Sequence, residues 1–400
     1  MATQIGYKAS ELGIIPQDWD VVELGSVAEI QRGASPRPID APIWFSQSSN
    51  VGWLRISDVT KSEKYLYNTT QNLSEEGIKN SRYVAKDNLI MSICATVGKP
   101  IINRKDICIH DGFVVFGNPK FDIEFMFYVL QEYESKWVNR GQTGSQMNLN
   151  TDLIKNKTVC LPPLPEQTAI ATVLSDTDAL ISSLQTLIAK KKAIKLSAMQ
   201  NLLSGKILLP EFAQRLDGSP KTTRQTELGL LPEDWKVVEL GDVLSLVLNK
   251  KVDAPFFTFI GMQDVSEEAK IINQTVLPIT QLKSGLTYFE ENDVLVAKIT
   301  PCFENGKGGY AHNLKTQIGF GSTEFHILRA NQQTDAEFIY YWTISPKFRQ
   351  QLALDMVGSA GHKRVPFQAL LKFKIPLPSK PEQTAIAQLL SDMDAEIEAL

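Results

Sequence analysis

The chain has 400 residues, of which 43% are hydrophobic and 22% charged, with a formal net charge of −4. That balance excludes a disordered or fibrous chain and is enough for two or three hydrophobic cores. No run of about 18 apolar residues and no basic start followed by an apolar stretch occurs, so a membrane span and a secretory leader are not expected and the cytoplasm is the default compartment.

In chain order, the first ordered feature is Glu11-Leu-Gly-Ile-Ile-Pro-Gln-Asp-Trp19, in which Trp19 is expected to pack where a domain meets a helix. Arg32 and Arg37 follow in a proline-containing stretch. Trp53–Val59 alternates apolar and polar residues and reads as a strand, as does Asp87–Ile93. The second of these leads into a turn at Gly98-Lys99, and no acid occurs between Asp87 and Asp106, where Lys99, Arg104 and Lys105 lie. A helix is expected from Asp122 through Tyr128. The segment after it, Lys136 to Thr151, has no carboxylate and carries Arg140, Gln142, Ser145, Gln146 and Asn148.

A long helix then opens at Leu164-Pro-Glu-Gln-Thr168. Proline loses nothing at the first helical position, and Glu166 meets the positive end of the dipole. Apolar residues recur at three or four spacings from Ile170 through Leu202, and Ser204-Gly205 supplies a left-handed stop. At about 1.5 Å per residue such a helix is roughly 58 Å long, more than a globular core needs. Lys190, Lys191, Lys192 and Lys195 fall in its second half and read first as a solvated face.

The remainder repeats this order. Glu11–Val27 matches Glu227–Val243 at 12 of 17 positions, and Pro165–Leu184 matches Pro381–Leu400 at 14 of 20, both at an offset of 216. Between these anchors, Trp53–Val59 lines up with Phe259–Val265, Asp87–Ile93 with Asp293–Ile299, Gly98-Lys99 with Gly306-Lys307, and Asp122–Tyr128 with Asp335–Tyr341. The chain is a duplication whose frame is kept and whose middles differ. The second middle carries Asn305 and Lys307 in its turn, and His362, Lys363 and Arg364 in an acid-free stretch between Asp355 and Glu382. Phosphates call for Lys and Arg, and base edges for planar amides and guanidinium groups. Arg32, Arg37, Lys99, Arg104, Lys105, Arg140, Gln142, Ser145, Gln146, Asn148, Asn305, Lys307, His362, Lys363 and Arg364 are therefore the candidate DNA contacts.

The Leu-Pro-Pro-Leu-Pro-Glu-Gln run at 161 to 167, its partner at 376 to 383, the Leu-Pro-x-Asp-Trp segment at 231 to 235 and Thr300-Pro-Cys-Phe-Glu-Asn-Gly-Lys307 together resemble the specificity (S) subunits of type I restriction-modification systems. The resemblance covers nearly the whole chain. It implies two globular target recognition domains that each read half of a split double-stranded DNA sequence, two long antiparallel helices forming a coiled-coil spacer, and docking of modification and restriction subunits. It also implies no cofactor in this chain, with S-adenosylmethionine, ATP and Mg on the partner subunits.

The expected fold is α+β. Residues 1–160 would form the first recognition domain, 161–207 the long helix, 208–226 a linker, 227–376 the second recognition domain and 377–400 a C-terminal helix. In each recognition domain a mixed or mostly antiparallel sheet with short helices is expected. The second long helix stops at Leu400, the counterpart of Leu184, so 21 residues through Gly205 lack a counterpart. Leu187, Ile188, Ile194 and Leu202 of the first would then be exposed unless another subunit covers them.

No Walker A pattern, dinucleotide fingerprint, amino-methylation box or nucleophile elbow is present, and the four histidines lack metal-ligand spacing. The four cysteines have no paired spacing and are expected to be reduced and mostly buried. A self-contained DNA-modifying enzyme is thereby disfavoured; turnover by the chain alone would revive it. A coiled-coil scaffold without nucleic acid leaves the two divergent middles without a purpose, and DNA retention at about 150 mM salt separates it from a specificity subunit.

Overall fold

A computed structural model describes residues 6–138, 149–247, 254–359 and 361–400. The chain divides into two compact units, Met1–Ser182 and Ser183–Leu400. The division falls inside the long helix.

In the first unit a five-stranded sheet runs in the order Glu29–Arg32, Phe113–Gly117, Leu89–Ser92, Pro100–Asn103, Tyr65–Leu66, antiparallel except for its last pair. A four-stranded sheet, Gln71–Asn72, Gly52–Leu54, Ile107–Ile109, Arg82–Val84, has one parallel pair in its centre. Both are mixed. The first sheet carries apolar residues on both faces, so Leu89, Ile90 and Met91 are all fully buried. Ile90 joins one core cluster, with Leu54, Ile101 and Phe113, while Leu89 and Met91 join another beneath the helix Ile123–Val138.

The expected strand over Trp53–Val59 is only half strand. Gly52–Leu54 pairs in the sheet, but Ile56–Lys61 is a helix, α1. Asp58 decides this: its Oδ2 accepts the Arg55 backbone N–H at 3.0 Å, and its Oδ1 accepts the Thr70 N–H at 3.1 Å. A carboxylate three residues into a turn satisfies amides that a helix start leaves free, which an alternating apolar pattern does not reveal. Asp264 does the same for Gly261, at 2.7 Å, after the strand Phe256–Ile260. The helices expected at Asp122 and Asp335 do form, as α2 (Ile123–Val138) and, in the second unit, Ala336–Ile344.

The long helix, α3, spans Leu164–Leu203. Gly205 follows at φ +68°, and a Cβ there would lie 2.7 Å from Pro232 Cδ. Both the left-handed conformation and the close approach demand glycine. Gly205→Ala is expected to cost about 1–2 kcal/mol, read as a lower denaturation midpoint without a change in slope.

The second unit has two four-stranded sheets, Leu244–Ser245, Phe325–Ala330, Val294–Ala297, Gly308–Tyr310 and Thr275–Pro278, Phe256–Ile260, Gly319–Gly321, Thr287–Phe289. The first is antiparallel, and the second has one parallel pair. Against the first packs α4 (Ala336–Ile344), and against α4 packs α5 (Lys380–Glu398). Within this unit the end of α3 lies beside α5 in the opposite direction: Lys191 meets Glu396 at 2.6 Å and Lys195 meets Asp394 at 2.5 Å. Met199, Leu202 and Leu203 share a core with Ile386, Ala387 and Leu390. The lysine run is therefore not simply a solvated face. Of the residues expected to be exposed, Leu187 and Ile194 are, Ile188 is half-buried, and Leu202 is buried by that core.

Each unit also closes on itself through one small ladder. Asp20–Glu23 pairs with Thr158–Leu161, and Lys236–Glu239 with Lys374–Leu377, in registers identical after the offset of 216. The strand that leaves each ladder runs through prolines straight into a helix.

Candidate nucleic-acid interface

The Pro-Glu-Gln-Thr repeat is a latch. In the first unit the Asp122 N–H donates to Gln167 Oε1 at 2.9 Å, Gln167 Nε2 donates to the Pro162 carbonyl at 2.7 Å, and the Thr168 hydroxyl donates to Asp122 Oδ2 at 2.9 Å. Gln383, Pro378, Thr384 and Asp335 repeat all three bonds in the second unit. Asp122 and Asp335 also cap α2 and α4, so one carboxylate fixes the domain helix and the start of the long helix together. Trp19 and Trp235 complete the latch by donating Nε1–H to Glu166 at 3.1 Å and Glu382 at 3.2 Å, as packing tryptophans should.

On this frame the first middle gathers arginines around Asp111. Arg32 Nε donates to the Asp111 carbonyl at 2.6 Å, Arg37 approaches its carboxylate at 3.5 Å, and Ser35 donates to it at 2.8 Å. Burial opposes ionisation of Asp111, but the Ser35 hydroxyl, with His110 and Arg37, holds its carboxyl below the ordinary value. Arg82, which sequence reasoning passed over inside a strand, donates to the Arg32 carbonyl at 2.7 Å. The Lys99 turn sits beside this group, since Cys94 Sγ reaches the Gly112 carbonyl at 3.7 Å.

Arg104 is placed differently. Its guanidinium pairs with Asp87 at 2.6 Å and Glu124 at 3.2 Å, and stacks over Tyr65 at 4.3 Å, facing α3. Lys105 donates to Asn72 at 3.2 Å. Arg140, Gln142, Ser145, Gln146 and Asn148 lie outside the described residues. Leu149 donates its N–H to the Ile93 carbonyl at 2.9 Å.

The second middle brings its two candidate loops together. Thr300 N–H donates to the Lys363 carbonyl and Val365 N–H to the Lys298 carbonyl, each at 2.9 Å. His326 Nε2 lies 2.8 Å from the Val365 carbonyl and pins the end of that loop. Arg364 grips Glu324 with two nitrogens, at 2.7 and 3.0 Å, and holds that carboxyl below its ordinary value. Lys99, Lys298, His362 and Lys363 make no ion pair among the described residues. Lys298 was missed because it ends a strand as the counterpart of Ser92; its only signal is a cation one step past an apolar run.

Lys307 and Asn305 point back into the protein, to the Met262 carbonyl at 3.0 Å and Glu267 at 2.9 Å. Their turn rests on Arg349, whose buried guanidinium donates to the carbonyls of Thr343 at 2.7 Å, Phe303 at 3.1 Å and Gly306 at 3.2 Å. Burial brings that guanidinium down to about 10, still charged at neutral pH. Arg349→Met leaves those carbonyls unmet and is expected to cost about 2–3 kcal/mol, measured by chemical denaturation.

The four cysteines are free, Cys108 buried and the others half-buried. Among the described residues no group of three or more His, Cys, Asp or Glu could hold a metal, and no helix is long and apolar enough to cross a membrane. Among the described residues the two middles offer cations on the segments that connect their strands.

The comparisons agree. The chain resembles the MjaVIII specificity subunit of a type I restriction enzyme from Methanocaldococcus jannaschii, 24% identical over 398 residues that cover 96% of this chain and 88% of that one. It is 32% identical over 169 residues to the EcoEI specificity subunit of Escherichia coli, covering 41% of this chain and 28% of that one. In fold it is similar to the type I restriction-modification S subunit of M. genitalium, with a TM-score of 0.52 at 13% identity over 95% of this chain and 90% of that one. The family model for the type I restriction modification DNA specificity domain matches residues 16–193 and again 232–399. With both halves matched, the chain belongs to the type I restriction-modification DNA specificity family, as a non-catalytic specificity subunit.

Proposed function

We propose that the chain reads a two-part double-stranded DNA sequence, one part with each recognition domain, and directs partner modification and restriction subunits to it. The observation that carries this reading is a frame repeated in register beneath two different sets of ordered, cation-bearing turns. In the first set Arg32, Arg37, Arg82 and Lys99 would face DNA, and in the second Lys298, His362, Lys363 and Arg364. Residues 140–148 would join the first set. Arg104, Lys105, Asn305 and Lys307 would shape the surface more than touch it, since their partners draw them back into the protein, while Arg364, held by Glu324, would reach DNA only by exchanging that carboxylate for a phosphate.

The domains follow the boundaries 1–160, 161–207, 208–226, 227–376 and 377–400, with α3 and α5 as an antiparallel coiled-coil spacer. A separation near one DNA turn, about 34 to 36 Å, would present both major grooves on one face. Exposed Val173, Leu180 and Ile181 on α3 provide apolar surface for the partner subunits. Those partners would supply methylation with S-adenosylmethionine and ATP- and Mg-dependent cleavage, in the cytoplasm.

The test is methylation mapping in cells that express the chain with its neighbouring modification subunit, with and without a copy of residues 185–206 appended in frame after Leu400. Methylation of a two-part sequence supports the reading, and its dependence on the added segment reports how much paired helix is needed. No methylation in either case, with the partner folded, would favour a scaffold.

A further inference from the structure

Besides its latch, each recognition domain has a second attachment to a helix, made by a lysine at the same repeat position. Lys64 lies five residues after Val59 and Lys270 five after Val265, and these valines end the paired Asp-Val segments. The Lys64 side chain is 10% exposed, and its Nζ lies 2.6 Å from Ser175 Oγ on α3, 3.1 Å from Glu124 Oε2 and 3.3 Å from the Tyr128 hydroxyl on α2. Tyr128 in turn donates to Asp178 on α3 at 2.7 Å. Lys270 pairs with Glu398 near the end of α5, while Lys192 of α3 pairs with Glu268 at 2.6 Å. Glu268 and Lys270 thus tie one turn of the second domain to both helices of that unit.

The latch, with the core that Leu202, Leu203, Ile386 and Leu390 share in the second unit, holds each domain near the start of its helix and resists pivoting least further along. A second contact further along acts on a longer lever and so fixes the angle more closely. Ser175 is seven residues beyond Thr168, about 10 Å at 1.5 Å per residue, and Glu398 is fourteen beyond Thr384, about 21 Å. On a lever of about 20 Å, comparable with the size of such a domain, a pivot of about 10° shifts the DNA-facing turns by about one base step of 3.4 Å.

We propose that Lys64 and Lys270 are positioning residues for recognition: each sets the angle of its recognition domain on its helix, and so the spacing between half-sites that the subunit accepts. This rests on the helices being the spacer. The first attachment is the tighter one. Although burial opposes it, Tyr65 and Lys64 hold the Glu124 carboxyl below its ordinary value, whereas its counterpart Glu337, without a lysine, is pushed up by burial. Lys64→Met is accordingly the stronger variant.

The experiment uses the full chain in complex with its modification subunit and DNA carrying the mapped half-sites at the native spacing and at one base pair more or less. Lys64→Met and Lys270→Met are expected to keep both half-site sequences but to lower the preference for the native spacing about tenfold or more, with Lys64→Arg restoring most of it. A uniform fall in methylation at all spacings, or no change, overturns the proposal. Because Lys64→Met could unfold the first domain, Lys270→Met, at a residue whose side chain is 32% exposed, carries the same test independently. Insertion of seven residues, two helical turns, after Ser182 is the control. If it shifts the preferred spacing and the lysine variants do not, the spacer reading stands and the proposal falls. If it shifts nothing, the spacer reading falls and takes the proposal with it.

Discussion

Exchange of residues 244–375 for the middle of another specificity subunit is expected to replace one half of the methylated sequence and leave the other half unchanged. The exchanged segment begins just past the ladder strand Lys236–Glu239, ends within its partner strand Lys374–Leu377, and includes Asp335, to which the Gln383 and Thr384 latch attaches. A graft that brings its own aspartate there therefore meets the same frame. A mismatched base pair typically costs about 1–3 kcal/mol, so a changed half-site of several base pairs amounts to a switch of target rather than a graded loss. Methylation mapping reads this directly. Loss of both half-sites would show that the two middles do not read independently.

The second large effect concerns Glu382. Its side chain is 1% exposed, Oε2 accepts the Trp235 Nε1–H, and Oε1 is buried without a partner. Burial pushes this carboxyl up to about 7, only partly relieved by Lys221. An acid that ionises at higher pH in the folded chain than in the unfolded one loses stability as pH rises from the unfolded value of about 4.5 through about 7. Glu382→Gln keeps an acceptor for Trp235 and abolishes the buried charge. It is expected to stabilise the second unit by about 2 kcal/mol at pH 8 and by little at pH 4.5, allowing for an amide N–H left without an acceptor. Thermal unfolding at the two pH values checks the sign. Glu166→Gln is the control, because Glu166 holds the matching place beside Trp19 but is only half-buried.

Much of the frame was legible in the sequence. The twin Pro-Glu-Gln-Thr and Pro-x-Asp-Trp segments mark the helix starts and their tryptophans, and Gly205 marks the end of α3, because caps and stops depend on a few neighbouring residues. Strands at Leu89–Ser92 and Val294–Ala297 follow from their apolar runs. Trp53–Val59 misled, since the helix after Leu54 depends on Asp58 bonding to Arg55 and Thr70 rather than on periodicity.

The candidate contacts were legible only as cations and amides in loops, several of them in segments without acids. Arg37, Lys99, His362 and Lys363 lie between elements and Arg32 ends the strand Glu29–Arg32, but Arg104, Asn305, Lys307 and Arg364 turn out to be partnered within the protein. Nothing local distinguishes these cases, because Arg104 meets Glu124 across twenty residues and Asn305 meets Glu267 across thirty-eight.

By itself the sequence determined that the chain is a duplication, where its helices begin and which segments vary, since repetition, capping and acid-free runs are properties of neighbours along the chain. Only the tertiary structure decided which of the described cations are consumed in ion pairs and which are not, and brought Lys64, Lys270, Arg349 and Glu382 into the surroundings that single them out. The reason is physical: burial, and the partner that offsets it, are set by groups brought together from distant parts of the chain, and a residue's charge has no fixed role until they are in place.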